Sequence, residues 1–539
     1  MRKSLGIVAA GVLVCGMAQV VLATTSSATA GSCATQYSLP YPDPSPSPDD
    51  SDDSTQDIDN DGGTDLVVGV PAASVGGQAR AGVVDIHYSR YPGSTATVQR
   101  LDESYFTGGT APQAGDGFGS AVAFGDIDDD PQVRNFCEDL VIGMPGANNG
   151  KGQVIVAFGS PDGISPAGAI RIDGAHAGEH YGAAVAVNGH DIWVGIPDRT
   201  VNGFAHAGAV EHLVVTPGLV RHVETFTEDY PGVPGVAETG DRFGQVLAAG
   251  PGLDQTLAVG EPDEDVGRAV DAGSVTVFRF GAAHTFTTAA TISQNSPGVS
   301  GTAESGDHFG AAVSLSNRFQ PSDRGQGLVV GVPGEAIGTR RSAGMVHVFA
   351  FPFTGTPTQL YSISQDTPGV PGGVEAGDRF GASVLTGGFE VDALSEDIAI
   401  GSPGESFDGV SAAGTVTVVN STRVSGGGLR TVALLFQTGG GVGRLGGTPQ
   451  AGDHVGAGLS AKAEPNTFQG GFKRGGGAAL VVAAPDDDIS GVDSGDVAVV
   501  PLCLCQPATT YTDSAGPIAG EHYGVGASGL DNGINIVGT

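Results

Sequence analysis

The chain has little of what helical or mixed domains use. Tryptophan occurs once and methionine four times in 539 residues, and no segment shows helical periodicity. Glycine, in contrast, accounts for 90 residues, more than twice the average usage of about 7%. Glycine suits tight turns between short strands, because it adopts turn conformations that other residues disfavour. The composition therefore predicts an all-β protein.

Basic residues are also scarce. The chain holds 24 Lys and Arg against 59 Asp and Glu, a formal net charge of -35. A surface this negative repels phosphate backbones and anionic membranes, which argues against nucleic acid as a partner. The charge favours cations instead, or it serves the solubility of an exported protein.

Motifs of several enzyme classes are absent from the sequence. It contains no Gly-x-Ser-x-Gly elbow, no His-Glu-x-x-His helix and no P-loop. The tripeptide Arg-Gly-Asp, which is not an enzyme motif, is absent as well. Four histidines precede the aromatic residue of a repeated motif, and their place in that repeat explains them: His180, His308, His454 and His522. The sequence therefore predicts no catalysis. It does not exclude an active site assembled from loops that are distant in the chain.

Three short motifs recur in a constant order, and each occurs seven times. The first is an aromatic residue, once replaced by valine, followed by glycine, at Phe118, Tyr181, Phe243, Phe309, Phe380, Val455 and Tyr523. The second is Gly-x-Pro after an apolar triplet, at Gly69, Gly143, Gly195, Gly260, Gly331 and Gly401, with a weakened copy at Ala483. The third is Gly-x-Val, at Gly82, Gly152, Gly208, Gly273, Gly344, Gly414 and Gly495.

A period of about 60 to 75 residues with several short strands per unit indicates the blades of a β-propeller. The first Gly-x-Pro has no aromatic-Gly before it, and the last aromatic-Gly, at Tyr523, has no complete Gly-x-Pro after it. We therefore expect the two ends to complete one blade together and to close a seven-bladed ring. The tail Asn535 to Thr539 resembles another Gly-x-Pro strand, so it is either displaced from the closing blade or begins an eighth blade in a longer relative.

The repeats resemble the FG-GAP repeat of the integrin alpha-chain β-propeller. The spacers before the aromatic residue, such as YPGVPGVAETGDRFG from Tyr230 to Gly244, look like those of bacterial secreted members of that family. The resemblance covers roughly residues 57 to 539 and implies a seven-bladed propeller with calcium in the loops between the first two strands of a repeat. It speaks much more clearly for the fold than for the function.

The strongest local motif lies just before the first Gly-x-Pro strand. Alternate carboxylates in a tight glycine-containing loop can surround a hard cation with oxygen ligands, and the carbonyl of Gly63 can add one more. By the resemblance to FG-GAP blades, the side-chain ligands are Asp57, Asp59, Asp61 and Asp65. The alternative is a solvated acidic turn.

A second loop repeats this alternation with two departures. Pro131 stands in place of the expected glycine, and extra residues delay the closing acid. The candidate ligands are Asp126, Asp128, Asp130 and Asp139. The remaining units lack a carboxylate triplet, so we expect one or two calcium ions. The acidic runs that follow two Gly-x-Pro motifs, at 263–265 and 486–488, are interpreted as solvated turns.

The N-terminus predicts export. A basic start, the apolar run Leu5 to Val21 and the A-x-A site Ala28 to Ala30 indicate a signal peptide over residues 1–30. Residues 31–56 are rich in Pro, Ser and Asp and predict a disordered tether, and residues 57–539 are expected to form the propeller. We expect a monomer without a transmembrane span in the mature chain, secreted or held at the cell surface.

Four cysteines follow the predicted signal peptide: Cys33, Cys137, Cys503 and Cys505. An even number in an exported chain is compatible with two disulfides and three pairings. Cys503 and Cys505 are two residues apart on one strand and poorly placed to bond each other. One hypothesis pairs Cys33 with one of them and Cys137 with the other.

Three functions remain open at the level of sequence. The first is a noncatalytic extracellular module that recognises or adheres to a protein or glycan, with calcium shaping its loops. The second is a secreted hydrolase or the accessory propeller of one, and the third is a structural protein of the cell envelope. The absence of a second domain to hold catalytic groups favours the first.

Overall fold

The structure, a computed structural model, is described over most of the propeller region. The described residues are 20–22, 57–60, 64–90, 94–107, 111–128, 137–216, 218–250, 255–281, 284–316, 325–352, 356–389, 397–420, 431–437, 445–463, 478–489, 492–493, 495–500 and 508–511. They form seven antiparallel sheets arranged in a ring, so the predicted all-β, seven-bladed propeller is confirmed.

The first four blades, numbered in chain order, have these strands. Blade 1 comprises Leu66–Val70, Val83–Arg90 and Ser94–Leu101. Blade 2 comprises Ala121–Gly125, Asp139–Met144, Gln153–Ala157 and Ile170–Asp173. Blade 3 comprises Ala184–Asn188, Asp191–Ile196, Ala209–Thr216 and Leu219–Phe226, with Val20–Leu22 paired to its last strand. Blade 4 comprises Val246–Ala249, Thr256–Glu261, Ser274–Gly281 and Thr285–Ile292.

The last three blades follow the same order. Blade 5 comprises Ala312–Ser316, Gly325–Val332, Met345–Pro352 and Thr358–Ile363. Blade 6 comprises Ser383–Gly387, Asp397–Ser402, Thr415–Asn420 and Thr431–Leu435. Blade 7 comprises Gly458–Ala463, Ala478–Ala484, Asp496–Val500 and Thr509–Tyr511, with a small hairpin of Asp488–Ile489 and Val492–Asp493. Two short helices, Glu103–Thr107 and Ala147–Gly150, lie in connections.

The core consists of apolar layers between adjacent blades. Seven clusters of buried side chains occupy the seven interfaces, and each draws residues from two consecutive blades. The apolar triplets contribute to both faces of their sheets, as expected for strands buried on both sides. The seventh cluster joins Leu66 and Val68 of blade 1 to Val481 and Val497 of blade 7. The ring is thereby closed.

The three repeated glycines make the close contacts between blades. In the Gly-x-Val motif of blade 2, a Cβ at Gly152 would lie 2.0 Å from the carbonyl oxygen of Tyr181, the aromatic residue that starts blade 3. A Cβ at Gly143 of Gly-x-Pro would lie 2.1 Å from the carbonyl oxygen of Gly182. The same pairs recur around the ring, so the repeat marks positions where backbones approach too closely for a side chain.

Strand direction divides the disc into two rims. Each first strand starts, and each second strand ends, at the side that carries the aromatic-Gly and Gly-x-Pro motifs, which we call the Gly-x-Pro rim. The loops that precede the second strands lie at the opposite side, which we call the acidic-loop rim. Tyr523 and the tail, expected to complete the closing blade, lie outside the described residues. No helix in the described part of the chain is long and apolar enough to cross a membrane.

Candidate metal centres

The first acidic loop gathers three carboxylates. Asp57 and Asp65 are buried, and Asp59 is half-buried. Asp65 accepts the backbone N–H of Ile58 on Oδ2 at 2.9 Å and that of Ser89 on Oδ1 at 3.0 Å. One ligand oxygen from each of the three aspartates lies within 4.8 Å of the others. The sequence therefore folds so that the closing acid is fixed and the alternating acids converge on it.

The second acidic loop has the same construction. Asp139 is fully buried and accepts the backbone N–H of Ile127 on Oδ2 at 2.9 Å and that of Gly159 on Oδ1 at 3.0 Å. Asp126 and Asp128 are half-buried, and their ligand oxygens lie within 4.8 Å of each other and of Asp139. Asp139 is thus held by backbone N–H groups in the same way as Asp65 in blade 1.

Both closing carboxylates carry the electrostatic signature of crowded acids. Burial raises the pKa of Asp65 to about 8, with further contributions from the charges of the other two loop aspartates. Burial and the same kind of repulsion raise the pKa of Asp139 well above its usual range. A bound divalent cation would relieve both the repulsion and the cost of burial.

The donor set fits calcium. Two oxygens that both bind one calcium ion at 2.3–2.6 Å can lie at most about 5 Å apart, and the ligand oxygens of each trio lie within 4.8 Å of one another. All the gathered ligands are carboxylate oxygens. Such ligands bind hard cations in preference to softer metals. Of the predicted ligands, six lie in these two trios, while Asp61, Gly63 and Asp130 lie outside the described residues and stay predictions.

Blades 3 and 6 keep the closing acid but give it other partners. In blade 3, Asp191 contacts the imidazoles of His212 at 2.5 Å and His284 at 2.7 Å. In blade 6, Asp397 accepts the side-chain amide of Asn420 at 3.0 Å. Side-chain N–H groups thus take the place of further carboxylates, in agreement with the loss of the triplet from these units.

The histidines before the aromatic-Gly motif pair with acids on the Gly-x-Pro rim. His180 lies 2.5 Å from Asp198, and His454 lies 2.6 Å from Asp486. The hydrogen bond to Asp198 raises the pKa of His180. The structure thus gives these histidines partners on neighbouring turns, consistent with their repeat position.

A third trio of carboxylates was not found from the sequence. Ligand oxygens of Glu228, Asp241 and Glu264 lie within 4.8 Å of one another at the Gly-x-Pro rim, between blades 3 and 4. Glu264 belongs to the acidic run 263–265, for which the sequence predicts a solvated turn, but its carboxylate lies close to two acids from the preceding connection. The available signal was a substitution within the repeat: the position of Glu228 is occupied by Gln294 and Gln365 in the next two units.

Cys137 is fully buried at the end of the second acidic loop and is disulfide-bonded. Cys33, Cys503 and Cys505 lie outside the described residues. The pairing therefore stays a prediction.

Comparison with known proteins identifies no family. No family model and no curated protein matches the chain. Among solved structures, the chain resembles the periplasmic gluconolactonase PpgL of Pseudomonas aeruginosa, with a TM-score of 0.43 and 15% identity over 83% of this chain and 95% of that one. It also resembles Sqt1 from Chaetomium thermophilum, with a TM-score of 0.38 and 13% identity over 74% of this chain and 76% of that one. These distant likenesses carry no argument about function.

Proposed function

We propose that this protein is a secreted, calcium-stabilised propeller that recognises an extracellular protein or glycan. The observation that carries the proposal is the equivalence of the two acidic loops. Asp65 and Asp139 are held by backbone N–H groups in the same way, and each is joined by two further carboxylates. Calcium would bind there, fix the loops of blades 1 and 2, and take no part in chemistry.

The binding face is assigned to the Gly-x-Pro rim. Among described residues, the exposed large apolar side chains include Phe204 at 42%, Val236 at 64% and Val270 at 51%. All three lie in rim connections of blades 3 and 4, and the Phe204 turn is bonded to the spacer through Gly240 N–H and Ala205 C=O at 3.1 Å. Exposed apolar side chains on an otherwise acidic rim can contribute to a contact surface.

Thermal unfolding of the mature protein in calcium and in chelator tests the calcium part. A cation that binds only the folded state raises the unfolding midpoint. We expect calcium to raise it, Asp59→Asn or Asp128→Asn each to remove part of the rise, and the double variant to remove more of it than either single variant. Magnesium serves as the control cation, because its smaller and stricter octahedral shell suits these loops less well. An unchanged midpoint in calcium would reject the metal-loop assignment.

Binding to panels of immobilised glycans and secreted proteins tests the recognition part. We expect saturable binding to a member of a panel, weakened by the triple variant Phe204→Ser, Val236→Ser, Val270→Ser. A matched variant at the fourth exposed apolar residue, Val98→Ser, controls for general surface effects, since Val98 is 44% exposed on blade 1. Turnover of ester, lactone, phosphodiester or glycoside substrates would favour the hydrolase alternative instead.

A further inference from the structure

The interface between blades 3 and 4 differs from its neighbours in the charge that it buries. In the next two interfaces, a glutamine amide donates to a glutamate across the gap: Gln294 to Glu335 at 2.6 Å, and Gln365 to Glu405 at 2.5 Å. Glu228 occupies the glutamine position at the blade 3–4 interface. The amide donor is therefore lost and a carboxylate replaces it.

A fourth carboxylate joins this interface from the Gly-x-Pro motif of blade 4. The middle residue of that motif is Glu261, where blades 5 and 6 have Val332 and Ser402. Glu261 is fully buried; its Oε1 accepts the hydroxyl of Thr276 at 2.9 Å, while Oε2 has no hydrogen-bond partner. The charges of Glu264 and Asp241 act on this carboxyl group, so its unpartnered oxygen belongs to the same acidic environment.

Glu228 offers a second buried oxygen without a partner. Its side chain is 3% exposed, and its Oε2 makes no hydrogen bond. Oε1 packs against the backbone of Gly235, where a Cβ would approach it to 2.4 Å. The positive φ of 132° at Gly235 likewise favours glycine, so the spacer wraps closely around this carboxylate.

No basic residue in the described chain forms an ion pair with any of these four acids. Glu103 has the same repeat position as Glu228, at the blade 1–2 interface. There the guanidinium of Arg171 lies 3.4 Å from the carboxylate. Buried carboxylates without such a partner are costly and require either protons or an external cation.

We propose that Glu228, Asp241, Glu261 and Glu264 form a binding site for a divalent cation, calcium in the first instance, between blades 3 and 4. The ligand oxygens of Glu228, Asp241 and Glu264 lie within 4.8 Å of one another, close enough for one ion to bind all three, and an all-carboxylate donor set selects a hard cation. The site lies at the Gly-x-Pro rim, beside the loops that carry Phe204 and Val236. It is independent of the two acidic loops, which lie at the opposite rim.

Calcium stoichiometry of the mature, full-length protein, measured by equilibrium dialysis at neutral pH, tests this site. We expect three equivalents of calcium in the wild type, two in Glu228→Gln and one in the double loop variant Asp59→Asn, Asp128→Asn. The variant that combines these three substitutions should bind none. Glu228→Gln is expected to fold, because glutamine occupies that position in the next two interfaces. Glu261→Val, which copies Val332 of blade 5, provides a second variant with the same expected loss.

The matched control is Glu238→Gln, which removes an exposed carboxylate from the same spacer and should leave the stoichiometry unchanged. Equal calcium binding by wild type and Glu228→Gln, with both folded, would overturn the proposal and indicate a cluster neutralised by protons. If the two acidic loops bound no calcium but the blade 3–4 site did, the result would be different. The wild type would then bind one equivalent, and Glu228→Gln would remove it.

Discussion

The side-chain amide of Gln294 donates to Glu335 at 2.6 Å and so joins blade 4 to blade 5. The exposed fraction of Gln294 is only 2%, and burial raises the pKa of Glu335 to about 7. The amide thus supports a glutamate in a place where a second charge would be costly.

We predict that Gln294→Glu destabilises the protein at pH 8 in chelator by about 2–4 kcal/mol, because the variant places a buried carboxylate beside the half-buried one of Glu335 without a donor. The loss should shrink towards pH 5, where protonation removes the repulsion. Urea unfolding at both pH values measures it. Asn295→Asp adds the same charge at an exposed neighbour and should change little; equal losses in the two variants would contradict the proposed role of the amide.

The two kinds of aspartate in the second acidic loop should separate in their effects. Asp139→Ala leaves the buried backbone N–H groups of Ile127, Asp128 and Gly159 without their acceptor. We expect it to cost about 3 kcal/mol or more in chelator as well as in calcium. Asp128→Ala should leave the midpoint in chelator unchanged or higher, and reduce the rise that calcium produces. Thermal unfolding in calcium and in chelator measures the difference between the two variants. A midpoint of Asp139→Ala that is lowered in calcium but unchanged in chelator would refute the prediction.

His347 should make the protein sensitive to acid. Its imidazole is fully buried beside Phe309 and Phe349, and burial lowers its pKa to about 4. The pKa of His347 is lower in the folded protein than in the unfolded chain. The contribution of its neutral imidazole to the free energy of unfolding is therefore complete above about pH 6.5 and is lost as the pH falls towards 4.

The variant His347→Thr copies the residue at this position in blades 4 and 6. We predict that it reduces the fall in unfolding free energy on acidification by up to about 3 kcal/mol. Unfolding free energies from pH 7 to pH 4 measure it. The exposed His176 supplies the control variant His176→Thr, whose pH profile should follow the wild type. A wild-type profile in His347→Thr would show that the buried imidazole does not govern the acid response.

Two glycines of blade 5 separate the effect of close approach from that of backbone conformation. Both have positive φ, 87° at Gly344 and 64° at Gly338. A Cβ at Gly344 would lie 2.2 Å from the carbonyl oxygen of Phe380, whereas one at Gly338 would meet nothing within 4 Å. We predict that Gly344→Ala costs at least about 3 kcal/mol and Gly338→Ala about 1 kcal/mol. Thermal unfolding compares them, and similar midpoints would argue against close approach as the reason for the repeated Gly-x-Val glycine.

Much of the fold could be predicted because its determinants are local and repeated. The apolar triplets, the turn glycines and the order of the three motifs specify similar strands in each unit, and seven copies specify the ring. The two acidic loops were also recognisable, since alternate carboxylates within one short loop need little help from the rest of the chain to converge. What the motifs did not reveal was why the glycines recur, because their contacts are with the next blade.

The sequence by itself therefore determined the blades, their number and the acidic loops, all of which depend on residues close together in the chain. Only the tertiary structure decided which acids meet between blades. Glu228 and Asp241 come from the connection between blades 3 and 4, while Glu261 ends the second strand of blade 4 and Glu264 follows it. Their convergence depends on how two sheets pack, and packing also determines whether a charge finds an arginine, as Glu103 does, or is buried among other acids. Burial and distance, which no local pattern records, give the same residue type these different roles.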